Sequence, residues 1–371
     1  MNNLHGILFA YRSNPNLREL TTLRTISSIP FGGRYRMIDF NLSNLVNAGV
    51  TDIGVIMRES YQSLLDHLGS GKDWDLSRKH GGLKLLPPFA FARRQQQTSF
   101  RGKMEALDGV SSYLHQIRQG FMALADGDIA ANIPVQDVLA HHLESGADIT
   151  AVCTSHPMAD PRQSTYFTIG ADGMVADVAC APAAPMGCEA LNFYILSKDL
   201  LLSLTEYCAA HNIYSFSAGV LMGMKDELKI SPYVFDGYAA RIQSVASYFA
   251  RSMDLLDGSV RRDLFDSARP IRTKDRSDPS TYYATGSRCT RSLMADGCII
   301  EGTVENSVLF RGVRVGKGAV VRNCVLMQGA TVGDNAEISY VIADKSVRIS
   351  PYRTLVGHQS YPLAIAKGTT V

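Results

Sequence analysis

No apolar run in this chain of 371 residues approaches the ~20 residues a bilayer-spanning helix needs, so no transmembrane segment is expected. The first residues also lack a basic stretch followed by an apolar core and a cleavage site, and a cytoplasmic protein is the expectation. Net charge is nearly absent. The 37 Lys and Arg against 35 Asp and Glu leave a formal +2, which gives no electrostatic reason to expect nucleic acid or a membrane as a partner. The seven cysteines include no CxxC pair and are odd in number. Reduced thiols fit that pattern better than a disulfide framework or a zinc site.

What is present is apolar material for more than one core. With 46% apolar and 19% charged residues the composition is that of an ordinary globular protein, and the length predicts two domains. From Leu4 to about Ser252, apolar runs alternate with helical patterns, which predicts a mostly parallel sheet covered by helices. LHGILFA at 4–10, TDIGVIM at 51–57, DITAVCT at 148–154 and residues 121–125 and 189–195 read as strands. Residues 111–120, 135–146 and 198–211 read as helices, and 167–178 as a hairpin. His141 and His142 fall on one of these helices. Neighbours on a helix point in different directions, so the pair reads as helix surface and not as a metal site.

Around residues 267–286 the composition turns to Arg, Asp, Ser, Thr and Pro, as in a linker. Beyond it the period changes. Leu309, Val315, Val321 and Met327 are spaced by six, as are Val320, Leu326, Val332 and Ile338, with Gly-containing turns between them. A repeating hexad with one aliphatic per rung predicts a parallel β-helix, a solenoid that commonly serves assembly. The expected organisation is an α/β domain over 1–252, a crossing segment over 253–288 and a left-handed β-helix over 289–371.

In a nucleotide-handling α/β protein, the loop after the first strand brings backbone N–H groups to phosphates. Here that loop is Tyr11-Arg12-Ser13-Asn14-Pro15-Asn16 and holds no glycine. Just beyond it comes Ile29-Pro30-Phe31-Gly32-Gly33-Arg34-Tyr35-Arg36-Met37-Ile38-Asp39-Phe40, then Gly69-Ser70-Gly71-Lys72-Asp73-Trp74-Asp75-Leu76, Leu86-Pro87-Pro88 and Asp296-Gly297-Cys298-Ile299-Ile300-Glu301-Gly302. These blocks closely resemble those of the bacterial ADP-glucose pyrophosphorylase family, and the resemblance covers nearly the whole chain. It implies a Rossmann-like nucleotidyltransferase domain followed by the β-helix. The implied reaction forms ADP-glucose and pyrophosphate from ATP and glucose 1-phosphate, with Mg²⁺ as cofactor.

The resemblance also says where the chemistry belongs, and there the chain departs from the family. The family's first-loop glycines fall on Tyr11, Arg12 and Asn14, its arginine on Asn16 and a later lysine on Ile26, while Arg24 is retained. Side chains at the glycine positions obstruct close approach of the backbone to a triphosphate. The block GTADA falls on Gly102-Lys103-Met104-Glu105-Ala106, of which only the ends match. The metal-binding Asp of SGDH becomes Gly127, flanked by Asp126 and Asp128 as the remaining candidates for a cation. The second metal Asp becomes Ser215, the sugar-phosphate lysine becomes Ala181, and the stretch WxDVGT falls on Ala239-Ala240-Arg241-Ile242-Gln243-Ser244. A hydroxyl is a poor replacement for a carboxylate on Mg²⁺.

This pattern is similar to the regulatory, non-catalytic type of glycogen-biosynthesis subunit. It implies a hetero-oligomer, of tetrameric size, with a catalytic ADP-glucose pyrophosphorylase subunit, and leaves self-association open. Arg12, Arg24, Arg34, Arg36 and Gly102 are the candidates for residual nucleotide or phosphate binding. A sugar-phosphate or nucleotide effector would suit the arginines. Two alternatives stand beside this reading. One is an active nucleotidyltransferase using Asp126 or Asp128 with Arg12 in a shifted metal site. The other is a hexapeptide acyltransferase, for which the β-helix region offers only His358.

Overall fold

The computed structural model describes residues 3–87, 100–158 and 160–371, and Pro88 of the family-like blocks lies outside them. The chain forms two compact units interleaved along the sequence. The first comprises Met1–Arg12, Ile38–Arg241 and Leu264–Arg272, and the second Ser13–Met37, Ile242–Asp263 and Thr273–Val371.

The first unit is built on a nine-stranded sheet. Its centre is parallel: Leu4–Phe9 runs between Asp52–Ile56 and Phe121–Asp126, and Gly82–Leu86 extends the sheet beyond Asp52–Ile56. Leu4–Phe9 has both faces covered, which is why it reads as a continuous apolar run. Leu4 and Leu8 pack with Ile38, Leu42 and Val138 on one side. Ile7 and Phe9 pack with Met104, Leu107 and Tyr194 on the other. The sheet is mixed, because the long strand Cys188–Ser197 lies antiparallel to Phe121–Asp126. The same strand pairs with Ile149–Thr154, and a register shift between Ala190 and Phe193 interrupts that ladder. At this bulge Asn192 takes a positive φ of 52°, which turns its side chain out of the strand's alternation.

Helices largely follow the predicted segments, with Val135–Ser145 and Lys198–Ala210 filling theirs. The helix predicted over 111–120 stops at Gln116. His142 corrects the helix-surface reading. It is 4% exposed and its Nδ1 lies 2.8 Å from the Thr150 hydroxyl, so it is a core residue with a satisfied ring. The segment predicted as a crossing contains the helix Gly258–Leu264 and then a strap onto the first unit. Asn132 donates to the carbonyls of Leu264 and Arg269, at 3.1 and 2.9 Å, and Asn47 donates to that of Pro270.

In the second unit three five-stranded parallel sheets form the walls of a left-handed β-helix. The later turns advance 17 residues, one short of three hexads. Leu309 therefore stacks on Leu326 and not on Met327, although all three are buried. Val320 is a second departure from the predicted hexads: it is half-buried on a sheet whose interior position is Val321. Asn306, Asn323 and Tyr340 turn one corner on successive coils with φ of 46°, 48° and 53°. Asn tolerates this left-handed backbone well, and Asn306 donates its side-chain amide to that of Asn323. Among the described residues no helix is long and apolar enough to cross a membrane.

Candidate functional site

The C-terminal end of Leu4–Phe9 and that of Phe121–Asp126 lie side by side in the parallel register, with Phe9 opposite Asp126. Ligands of open α/β sheets bind at such strand ends. Asp126 is fully buried, and its neighbours are cations. Arg12 Nη1 lies 2.9 Å from Asp126 Oδ2 and 3.1 Å from Asp128 Oδ2. Lys103 Nζ lies 2.9 Å from Asp126 Oδ1. The Asn192 amide, aimed by its bulge, donates to Asp126 Oδ2 at 2.8 Å. Gly127 contributes no side chain; its N–H donates to the Phe9 carbonyl and closes the turn.

The electrostatics follow from this packing. Burial pushes the Asp126 carboxyl up, but Lys103 and Arg12 overcome it and hold the group below the usual carboxylate range. Asp128, with Asp126 behind it, raises the Arg12 guanidinium above its ordinary value. Lys103 is moved the other way, since its burial outweighs the attraction of Asp126. Its ammonium lies 5.5 and 5.3 Å from the ring centres of Phe9 and Tyr194, which offset part of the lost hydration. A second buried ion pair stands in the same unit. Arg241, at the acidic position of the WxDVGT stretch, bonds Glu189 Oε1 at 3.1 Å, Ser164 Oγ at 3.0 Å and the Ala190 carbonyl at 2.6 Å.

The remaining candidates of the first unit have structural explanations. Gly102 has an extended φ of −178°, and a Cβ there would meet the Tyr214 carbonyl oxygen at 2.1 Å. Its missing side chain admits a neighbouring backbone. Ser215 is exposed, and its Oγ accepts from the Ala218 N–H at 3.1 Å, capping the helical turn Phe216–Met222. Ala181 is exposed at the end of its strand, with its N–H on the Ser164 carbonyl.

The other candidates belong to the second unit. Ile26 is buried, and Arg24 is buried in an ion pair with Asp344. Burial, with Arg36 and Arg24 next in weight and Lys367 adding to them, pushes the Lys345 ammonium down to about 7. Arg24, Arg36, Lys345 and Lys367 thus form one basic cluster, in which Arg24 pairs with the buried Asp344. Arg34 is exposed, its guanidinium 5.9 Å from the Tyr35 ring centre. Asn16 sits in the short helical turn Pro15–Leu20 and lines a cavity of about 370 Å³ together with Arg18, Ser244, Tyr361 and Leu363. His358 is exposed and bonded to the Ser360 hydroxyl.

Lys103, Asn192 and the Arg241–Glu189 pair were not among the candidates. Lys103 and Arg241 did carry a signal, since each places a cation where the resembling blocks have a small or acidic residue. Asn192 carried none, because a bulge inside a strand leaves no mark in its composition.

A nucleotidyl transferase family model matches residues 13–244, and a GlmU-like C-terminal hexapeptide model matches 281–361. The chain is 36% identical to the glycogen biosynthesis protein GlgD of Bacillus subtilis (strain 168), over 99% of this chain and 96% of that protein. GlgD of Geobacillus stearothermophilus is 36% identical over 99% of this chain and 97% of its own. The chain belongs to the glucose-1-phosphate adenylyltransferase family. A member bearing that name, from Geobacillus stearothermophilus, is 32% identical over 85% of this chain and 82% of its own.

Adenylyltransferase chemistry in this family calls for Mg²⁺ on carboxylates, and the residues present do not fit the ion. Both oxygens of Asp126 already face protein cations at 2.9 Å. The position expected to ligate is Gly127, and among the described residues no group of three His, Cys, Asp or Glu side chains is arranged to hold a metal.

Proposed function

We propose that the chain is a regulatory subunit of glucose-1-phosphate adenylyltransferase in glycogen biosynthesis, with little or no adenylyl transfer of its own. It assembles in the cytoplasm with a catalytic homologue, as a hetero-oligomer of tetrameric size, and tunes that partner's rate or effector response. The observation that carries this reading is Arg12 bridging Asp126 and Asp128. Phosphoryl transfer of this kind works by positioning and by cations that neutralise the migrating phosphate. Here the acidic groups are neutralised by the protein itself, and the sugar-phosphate position is the short, exposed Ala181. The basic cluster of Arg24, Arg36, Lys345 and Lys367 supports a role for a sugar-phosphate or nucleotide effector, because clustered guanidinium and ammonium groups recognise phosphates.

The same bridge weighs against an active enzyme with a metal shifted onto Asp126 or Asp128. His358, the candidate base for acyl transfer, has its Nδ1 engaged by the hydroxyl and the N–H of Ser360, at 2.8 and 3.2 Å. Mixing the purified chain with a catalytic homologue tests the assembly. One hetero-oligomer on native mass measurement, with an altered effector response, is the expected result. Two separate species and an unchanged response contradict the proposal.

A further inference from the structure

Asp126 and Asp128 frame a turn at the end of the central parallel strands, and each presents an oxygen to the same Arg12 nitrogen, at 2.9 and 3.1 Å. Both carboxylates are almost wholly buried, at 0% and 5% side-chain exposure, while Arg12 reaches them from a side chain 41% exposed. The other oxygen of Asp128, Oδ1, is buried and has no hydrogen-bond partner among the described residues. Two carboxylates converging on one point, one with a spare oxygen, have the donor chemistry of a hard divalent cation. The point they share is filled by a guanidinium whose charge cannot be titrated away.

We infer that Arg12 is a built-in counter-cation: it occupies the place of a divalent ion on Asp126 and Asp128, and removing its charge opens a divalent-cation site on those two carboxylates. Lys103 sets the limit of that site. It stays on Asp126 Oδ1, so the opened position draws on Asp126 Oδ2 and both oxygens of Asp128. An ammonium in place of the guanidinium would still compete by charge, so the exclusion belongs to the cation and not to the size of the side chain. The inference rests on the non-catalytic reading of the cleft, but its test reads metal binding and not turnover. An inactive chain that fails this test leaves the regulatory proposal standing.

The experiment titrates Mn²⁺ into the full-length protein, followed by the loss of the free-ion electron paramagnetic resonance signal and by thermal melting. The variants are Arg12→Ala, Arg12→Gln, Arg12→Lys and Arg12→Ala combined with Asp128→Asn. Arg12→Ala should bind Mn²⁺ at least about tenfold more tightly than the wild type, with a melting temperature that rises as Mn²⁺ is added. Arg12→Lys should behave as the wild type, and Asp128→Asn should abolish the gain. Arg12→Gln, which keeps a long stem and drops the charge, supplies the same contrast if Arg12→Ala does not fold. Equal Mn²⁺ affinity in the wild type and the neutral variants, or a gain that survives Asp128→Asn, overturns the inference.

Discussion

Lys103 and Asp126 form a buried ion pair, Nζ to Oδ1 at 2.9 Å, between the rings of Phe9 and Tyr194. The pair belongs to the packing of the first unit, with the Asp126 side chain fully buried. Lys103→Met leaves Asp126 its Arg12 partner but strips Oδ1 of a buried cation, so it should cost about 1–3 kcal/mol. Lys103→Met with Asp126→Asn should recover part of that loss. Urea denaturation of both variants checks the sign and the coupling.

The Arg241–Glu189 pair makes the same kind of prediction with a sharper geometry. Arg241 is 2% exposed and Glu189 1%, and two other acceptors, Ser164 Oγ and the Ala190 carbonyl, depend on the same guanidinium. Arg241→Met should destabilise by about 3–5 kcal/mol, and Arg241→Met with Glu189→Gln by less. If the single substitution is neutral, the pair does not hold this part of the unit together.

Gly102 is held glycine by the close approach of the Tyr214 backbone. Gly102→Ala places a carbon 2.1 Å from the Tyr214 carbonyl oxygen, an overlap that should cost about 2 kcal/mol as the Tyr214 backbone is displaced. The prediction is read by chemical denaturation. An unchanged midpoint would mean that the two segments separate freely.

Two buried bases make the stability depend on pH in the same direction. Burial, partly offset by Asp52, pushes the His5 imidazole down to about 4. The unfolded chain takes up that proton near pH 6.5 and the folded chain only near 4. Stability from this group is therefore whole above pH 6.5 and falls between 6.5 and 4, by roughly 3 kcal/mol in all. His5→Gln should flatten the profile by that amount relative to the wild type.

Lys345 moves the window upward. With its ammonium pushed down to about 7, the folded chain gives up a proton that the unfolded chain keeps to about 10.5. Stability from this group rises with pH between those values. An anion drawn to the basic cluster restores the ammonium, so its binding takes up a proton above pH 7. Sulfate, whose charge is constant over this range, should bind best at or below pH 7 and more weakly as pH rises. Lys345→Met should remove that slope in a calorimetric titration.

The fold was largely legible because each of its periods is local. The strand Leu4–Phe9 shows as one short apolar run, and the β-helix shows in aliphatics such as Leu309, Val315 and Val321 that recur every six residues. The 17-residue coil blurred the detail, since a turn one residue short of three hexads moves Met327 off the stack that Leu309 and Leu326 share. The cleft was legible only as a set of losses. Arg12 looked like an obstruction in a loop that lacks glycine. Its partners lie 114 and 116 residues away, and no spacing rule links such positions. His142 was misread for the opposite reason, because the helix pattern says which way neighbours diverge but not which face is covered.

Whether this chain forms ADP-glucose by itself is read most directly from its own rate. The purified chain, given ATP, glucose 1-phosphate and Mg²⁺, is to be compared with a catalytic homologue and with their mixture. A regulatory subunit gives little or no ADP-glucose alone, together with a rate or effector response in the mixture that the homologue alone does not have. Robust Mg²⁺-dependent synthesis by the chain alone would contradict it.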